Sequence, residues 1–212
     1  MTEPGRIFQV SQENKIIEGC TVSAEEQKGA VYFSLAKQTD ISPEIYRDKK
    51  ILFVDYGTLI AYGNRFSREI GENQAICLRE NAPVGMKTEV GAVYTEFTIR
   101  SNSKMNGIIK DGEVFSLKDL VPYQQGKIVN MDVASNEKMK FVIMAFDKGT
   151  GLSEHAAPGE ALIFALDGEG VIGYEGKEYP IKAGENFKFA KQGRHYVKAT
   201  EKFKMALFLT LE

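Results

Sequence analysis

Apolar residues occur along the whole chain in short runs that alternate with polar ones. Glycine-containing turns separate these runs at intervals of about 8 to 12 residues, and few stretches show the spacing of an amphipathic helix. This pattern predicts an all-β sandwich or barrel. The segments VIGYEGKEYPI and IAYGNRFSREI are predicted to be hairpins, with turns at Glu175-Gly176 and Gly63-Asn64, because these dipeptides accept positive φ.

The pattern occurs twice in the chain. Between Val22 and Gly57, adding 111 to the residue number gives the same residue type at eight of 36 positions, as for Phe53 and Phe164. Repetition at this period indicates two tandem domains of one fold. The tripeptide GEN at residues 71–73 recurs at 184–186, an offset of 113, which predicts a hairpin two residues shorter in the first copy.

The segment SLKDLVP lies between the two copies. Ser116 is a suitable N-cap, Asp119 takes the capping-box position three residues later, and Pro122 ends the element. The segment is therefore predicted to be one helical turn. We expect it to connect a first domain at residues 1–105 to a second at residues 106–212.

Charge and composition narrow the function. The net charge of −2 comes from scattered lysines, arginines and acidic residues, so neither nucleic acid nor an anionic membrane is an expected partner. The polar amino-terminal segment lacks the apolar stretch of a signal peptide, and apolar runs of six residues are too short to span a bilayer. Two cysteines make neither a disulfide framework nor a thiolate metal site. A reducing cytoplasm is the expected location.

The two histidines of the chain both fall in the second copy, each inside a glycine-bounded motif. His155 follows Gly149 after five residues, and its motif closes on Gly168. Gly184 opens the second motif and His195 ends it.

Over residues 149–200 these motifs resemble those of the cupins, which are small antiparallel jelly-roll barrels. The chain departs from the usual second motif in having Ala190 where proline is common and its glycine shifted to Gly193. The resemblance implies two tandem cupin barrels and, by analogy with the family, a homodimer. In the family, two histidines and a glutamate of the first motif, together with the histidine of the second, hold one divalent metal ion.

Only part of that ligand set is present in this chain. His155 and His195 match, whereas the second histidine position is Ala157 and the glutamate position is Ala161. Glu160 is one residue away, and strand alternation points its side chain to the opposite face. A bulge after Pro158-Gly159 would turn Glu160 inward and give a site of two histidines and one carboxylate.

Three interpretations of the second barrel stay open. It binds a small organic metabolite, anionic or carbohydrate-derived, around His155, His195 and Glu160, with Tyr or Phe side chains lining the mouth of the barrel. Alternatively, one divalent ion (Zn, Fe, Ni or Mn) on His155 and His195 supports an oxygenase, isomerase or decarboxylase. In the third interpretation, both barrels act only by association.

The first copy has no comparable histidines. Glu44, Tyr46, Lys50 and Val84 occupy the positions of His155, Ala157, Ala161 and His195. A metal site is therefore not expected in the first copy, and its predicted role is structural, as a partner barrel or a dimerisation surface.

Overall fold

The computed structural model describes residues 1–211, and its regular secondary structure is almost entirely β-strand, so the all-β prediction is confirmed. The first half contains β1 (Ile7–Phe8), α1 (Val10–Glu13), β2 (Thr21–Gln27), β3 (Ala30–Leu35), β4 (Thr39–Ile45), β5 (Lys49–Gly57), β6 (Leu59–Gly63), β7 (Phe66–Ile70), β8 (Ala75–Leu78), β9 (Pro83–Thr88) and β10 (Ala92–Ile99). The second half contains β11 (Lys104–Met105), β12 (Val114–Phe115), a 3₁₀ turn (Leu117–Asp119), β13 (Ile128–Asn136), β14 (Met139–Phe146), β15 (Gly151–Ala156), β16 (Glu160–Tyr174), β17 (Lys177–Lys182), β18 (Asn186–Phe189) and β19 (Arg194–Thr210).

The chain forms two units, each with its own sheets. The first unit has a six-stranded sheet in the order β12-β8-β5-β10-β3-β2 and a four-stranded sheet in the order β4-β9-β6-β7. The second unit has one nine-stranded sheet in which β16 and β19, of 15 and 17 residues, run side by side. In that sheet, β15 also pairs with β19, and β17 with β16.

The division into units differs from a single cut near residue 105. Strand β1 pairs with β18 and β11 pairs with β13, so residues 2–9 and 104–106 belong to the second unit. Strand β12 pairs with β8, so residues 107–116 belong to the first. The predicted boundaries 1–105 and 106–212 therefore misassign these short segments, whose strands pair with strands that are distant in the sequence.

The two units share one strand register, with an offset of 111 residues throughout. Gly184 donates its N–H to the carbonyl of Ala165 at 2.9 Å, and Asn73 donates to Val54 at the same distance. Asn73 (φ 62°) is therefore the counterpart of Gly184 (φ 84°), and the prediction of a shorter first hairpin is wrong. The repeated GEN tripeptide suggested a different alignment because asparagine and glycine both accept the positive φ that this turn requires.

The hairpin turns follow the same register. In the second unit the turn lies at Glu175 and Gly176, both with positive φ, as predicted. In the first unit it lies at Asn64 and Arg65, one residue later than predicted. Gly63 belongs to the strand instead, where it lies against the backbone of β9.

The helical turn predicted between the copies is present as the 3₁₀ turn Leu117–Asp119. The short helix α1 was not predicted. Within residues 1–211, no helix has the length and apolar content needed to cross a membrane.

Each unit buries an apolar core between its strands. In the second unit, alternate residues of β16 join aromatic residues of β18 in this core, among them Ala161, Ile163, Phe187 and Phe189. The same alternation places Leu52, Val54 and Tyr94 in the core of the first unit. This alternation determines which side chains of the motif positions face inward.

Candidate functional site

His155 and His195 lie side by side at the end of the second barrel. Strand β15 presents His155 directly opposite His195 of β19, after an irregularity in register between Leu152 and His155. The centroids of the two rings are 4.2 Å apart, and their planes differ by 54°. The structure thus brings together the two histidines, which are 40 residues apart in the sequence.

Two aromatic residues support this pair. On the other side of β19, Tyr174 lies directly opposite His195, so that His155, His195 and Tyr174 form one cross-strand row. Phe189, which is buried, stacks on the His195 ring with a centroid distance of 3.9 Å and an angle of 26°. The histidines therefore have an aromatic wall behind them, in contact with the apolar core.

Backbone carbonyl groups fix the orientation of both imidazole rings. Nδ1 of His155 lies 2.9 Å from the carbonyl oxygen of Ser153, and Nδ1 of His195 lies 3.1 Å from that of Gly193. A carbonyl oxygen only accepts hydrogen bonds, so each Nδ1 carries the hydrogen and donates it. In the neutral rings the lone pair is then on Nε2.

The two rings differ in exposure. His155 is exposed, whereas His195 is only 8% exposed. Burial lowers the pKa of His195, the hydrogen bond to the Gly193 carbonyl opposes this effect, and the nearby His155 lowers the pKa further. His195 is therefore neutral at pH 7 and presents Nε2 as an acceptor.

The described residues do not complete the family's metal site. Ala157 and Ala161, at the missing ligand positions, are buried in the apolar core. Nowhere in residues 1–211 do three histidine, cysteine or acidic side chains come together in a group that would hold a metal ion. Two imidazoles do not provide the three or four protein ligands of typical zinc or iron sites, so the donor set does not fit a resident metal ion.

Glu160 does not join the histidines, and the bulge considered from the sequence does not turn it inward. It is the first residue of β16, opposite Thr210 of β19, while the next residue, Ala161, occupies the inward position. Gly159 lies so close to the backbone of Thr210 that an added Cβ would be 1.7 Å from its carbonyl oxygen. This close packing fixes the start of β16 and keeps its strand alternation.

The sequence predicts Tyr or Phe side chains around the histidines but does not identify them, and it marks Gly193 only as a displaced motif glycine. In the structure the aromatic neighbours of His195 are Phe189 and Tyr174. A Cβ at Gly193 would lie 2.5 Å from the Tyr174 ring, so glycine is needed for that ring to lie there. No local signal identifies Tyr174 as a neighbour of His195, because the predicted hairpin pairs it with Lys177, whereas its pairing with His195 joins strands that are distant in sequence.

Comparisons with known proteins agree on the fold. A family model described as a cupin domain matches residues 142–211. Among solved structures, the cupin 2 conserved barrel domain protein from Leptotrichia buccalis is 26% identical, with a TM-score of 0.86 over 99% of this chain and 98% of that one. The chain matches no curated protein sequence.

More distant structures share the architecture. AerE from Microcystis aeruginosa is 14% identical, with a TM-score of 0.52 over 91% of this chain and 92% of that one. The salicylate 1,2-dioxygenase from Pseudoaminobacter salicylatoxidans is 9% identical, with a TM-score of 0.65 over 97% of this chain and 80% of that one. At these identities the similarity shows the fold alone, because one barrel hosts many chemistries.

Proposed function

We infer from the cupin-domain match over residues 142–211 and from the shared fold that the chain is a cupin, and we propose that its second barrel binds a small organic molecule through the Nε2 atoms of His155 and His195. The observation that carries the proposal is that backbone carbonyls hold both Nδ1–H groups, which leaves two adjacent acceptor nitrogens. A ligand with neighbouring hydroxyl groups suits this pair, since each hydroxyl donates one hydrogen bond to one Nε2.

The environment of the pair supports a binding role. His155 is exposed, so a ligand reaches it from solvent, whereas His195 is buried against Phe189 and is held in place. A rigid, preorganised partner loses little conformational freedom on binding. The half-buried ring of Tyr174 adds an apolar surface of the kind that ligand sites combine with a few polar groups, and buried Phe189 supports it from behind.

The ligand-binding role is tested by NMR spectroscopy of the histidine side chains. The chain contains two histidines, so the spectrum has two sets of imidazole signals, which His155→Ala and His195→Ala assign. Ribose and glucose serve as hydroxyl-bearing probes, and citrate as an anionic one. Lys198→Gln is the matched control, because Lys198 is an exposed residue on the same strand as His195.

We expect a hydroxyl-bearing probe to move the Nε2 signals of both histidines, with binding lost in each alanine variant and kept in Lys198→Gln. If none of the probes moves either imidazole signal, binding of these chemical classes at the pair is refuted. Thermal melts confirm that each variant is folded.

Elemental mass spectrometry of tag-free protein tests the metal-dependent alternative on the same samples. Near-stoichiometric zinc, iron, nickel or manganese, lost in both alanine variants, would replace the metal-free proposal by the metalloenzyme. Absence of bound metal after incubation with each of these ions supports the metal-free site.

We also propose that the protein forms a homodimer and that it works in a reducing compartment, the cytoplasm. The homodimer rests on analogy with the family, and the compartment on two cysteines that form no disulfide within residues 1–211. Light scattering coupled to size-exclusion chromatography measures the mass, and a monomer at micromolar concentration would contradict the dimer.

A further inference from the structure

We infer that the first barrel has a ligand pocket of its own, which takes a small organic acid with an apolar body. The pocket includes Val84, which corresponds to His195 of the second barrel. The inference is independent of the function proposed for that pair, because it concerns other residues and another class of ligand.

The pocket is a cavity of about 290 Å³ within the first unit. Its walls are largely apolar and include Phe66, Leu78, Pro83 and Val84. Leu78 and Val84 belong to the buried core of this barrel, and Phe66 packs against it. The volume lies at the lower end of the range for ligand pockets, about 300 to 1,000 Å³, which selects a small ligand.

Strand register explains why this barrel is open where the other is filled. Val84 lies opposite Glu44 as His195 lies opposite His155, so Val84 is the counterpart of His195. By the same register Leu78 corresponds to Phe189.

Tyr174, whose ring packs 5.5 Å from that of Phe189 in the second barrel, corresponds to Gly63. A Cβ at Gly63 would lie 2.4 Å from the carbonyl oxygen of Pro83, so glycine is retained there and no ring covers the pocket.

One unpaired cation lies at the pocket. Arg79 lines it, is exposed, and makes no hydrogen bond or ion pair with any residue of the described chain. The acidic group in the lining, Asp111, accepts hydrogen bonds from the Lys49 ammonium at 2.7 and 2.9 Å, and the same ammonium lies 3.6 Å from a carboxylate oxygen of Glu80. Asn64 adds an amide group to the lining.

Apolar walls with one free guanidinium identify the class of ligand. A guanidinium binds a carboxylate through two parallel hydrogen bonds, which are stronger than bonds between neutral groups. The apolar walls favour a hydrocarbon body over a polyol, because burying hydroxyl groups without partners costs free energy. Benzoate combines both features and is the probe for this pocket.

Isothermal titration calorimetry with benzoate, and with benzamide as the neutral analogue, tests the inference on the full chain. Arg79→Gln removes the charge and keeps a polar side chain. Leu78→Phe introduces the residue that fills this place in the second barrel. Arg47→Gln is the matched control, because Arg47 is exposed and lies outside the lining.

We expect benzoate to bind the wild type at least about tenfold more tightly than benzamide, and Arg79→Gln to weaken benzoate binding by about 10- to 100-fold. Leu78→Phe abolishes binding, whereas Arg47→Gln keeps it. If Leu78→Phe does not fold, Ala82→Leu closes the same pocket from a half-buried position in the lining.

Three results would overturn the inference: a folded wild type that does not bind benzoate, benzoate binding that survives both Arg79→Gln and closure of the pocket, and loss of benzoate binding in His195→Ala. His195→Ala separates this pocket from the histidine site: loss of benzoate binding in that variant would locate the probe in the second barrel and would also refute the inference.

Discussion

A buried ion pair in the first barrel provides a quantitative test of how this unit is stabilised. Nζ of Lys50 lies 2.7 Å from Oε1 of Glu96 and donates a second hydrogen bond to Oγ1 of Thr98 at 2.8 Å. The side chains of Lys50 and Glu96 are only 14% and 6% exposed. We predict that Lys50→Met destabilises the protein far more than the loss of a surface ion pair does.

The separation sets the magnitude. Two unit charges 2.7 Å apart attract by about 6 kcal/mol at an effective dielectric constant of about 20. Desolvation of both groups offsets most of that attraction in the wild type. In Lys50→Met the attraction is lost while Glu96 stays buried, so the free energy of unfolding falls by about 3 to 5 kcal/mol.

The second barrel suggests the compensating variant. Ala161 and Leu207 occupy the positions of Lys50 and Glu96 there, and both are apolar. The double variant Lys50→Met/Glu96→Leu removes both charges, and we expect its stability to be within about 1 kcal/mol of the wild type or higher.

Urea unfolding measures these differences, with circular dichroism as the probe and each transition fitted separately if the two units unfold apart. Glu201→Gln is the control, since its ion pair with Lys148 is 53% and 65% exposed and is expected to contribute less than about 1 kcal/mol. A loss below about 1 kcal/mol in Lys50→Met, or a double variant as unstable as the single one, would refute the reasoning.

Three further predictions concern single residues. His195 has a lowered pKa in the folded state, so its contribution to stability is present above about pH 6.5 and is lost as the pH falls through the lowered pKa. Because phenylalanine does not titrate, His195→Phe should reduce the fall in melting temperature between pH 7.5 and 5. Gly168→Ala should lower the free energy of unfolding by more than about 2 kcal/mol, because φ is +69° and an added Cβ would lie 1.7 Å from a carbonyl oxygen. Gly176→Ala should lower it by only about 1 kcal/mol, because φ is similar at +76° but the added Cβ would meet no other atom. Urea unfolding measures both differences. Burial raises the pKa of Cys77 to about 12, so a maleimide at pH 7 should label exposed Cys20 and leave Cys77 unreacted, as counted by mass spectrometry.

Each of these predictions has a contradicting result. An unchanged pH dependence in His195→Phe would show that this ring does not titrate differently on folding. Equal losses in Gly168→Ala and Gly176→Ala would mean that the close backbone approach at Gly168 relaxes freely. Labelling of two thiols in the folded protein would show that Cys77 is accessible, and Cys20→Ser checks that the single label is on Cys20.

Local patterns were sufficient to predict the all-β class, the repeat, the hairpin turn at Glu175-Gly176 and the helical turn between the copies. Strand alternation is visible in the residues themselves, and the hairpin at Glu175-Gly176 depends on two adjacent residues that accept positive φ. The pairing of residues 7–8 with 186–187 has no local signal, because it depends on backbone hydrogen bonds between distant segments. The domain boundaries therefore could not be placed from the sequence.

The candidate site was predictable in position but not in detail. Motif spacing predicted that His155 and His195 lie close together in the fold, and in the structure they are cross-strand neighbours. The groups that orient the rings are carbonyls of Ser153 and Gly193. Every residue has a carbonyl, so residue type gives no indication of which one a histidine will contact.

The mouths of the two barrels differ through side chains on a common backbone register. Where the second barrel has His195 and Phe189, the first has Val84 and Leu78. Glu44 takes the place of His155, so the first barrel has an apolar cavity beside a free guanidinium where the second has an aromatic rim and two imidazoles. Since backbone register is kept while the polarity of the rim changes, the ligand class of each barrel depends on the residues at its own mouth. Substitutions at one mouth should then leave binding at the other unchanged, which is the independence that the benzoate and histidine experiments measure.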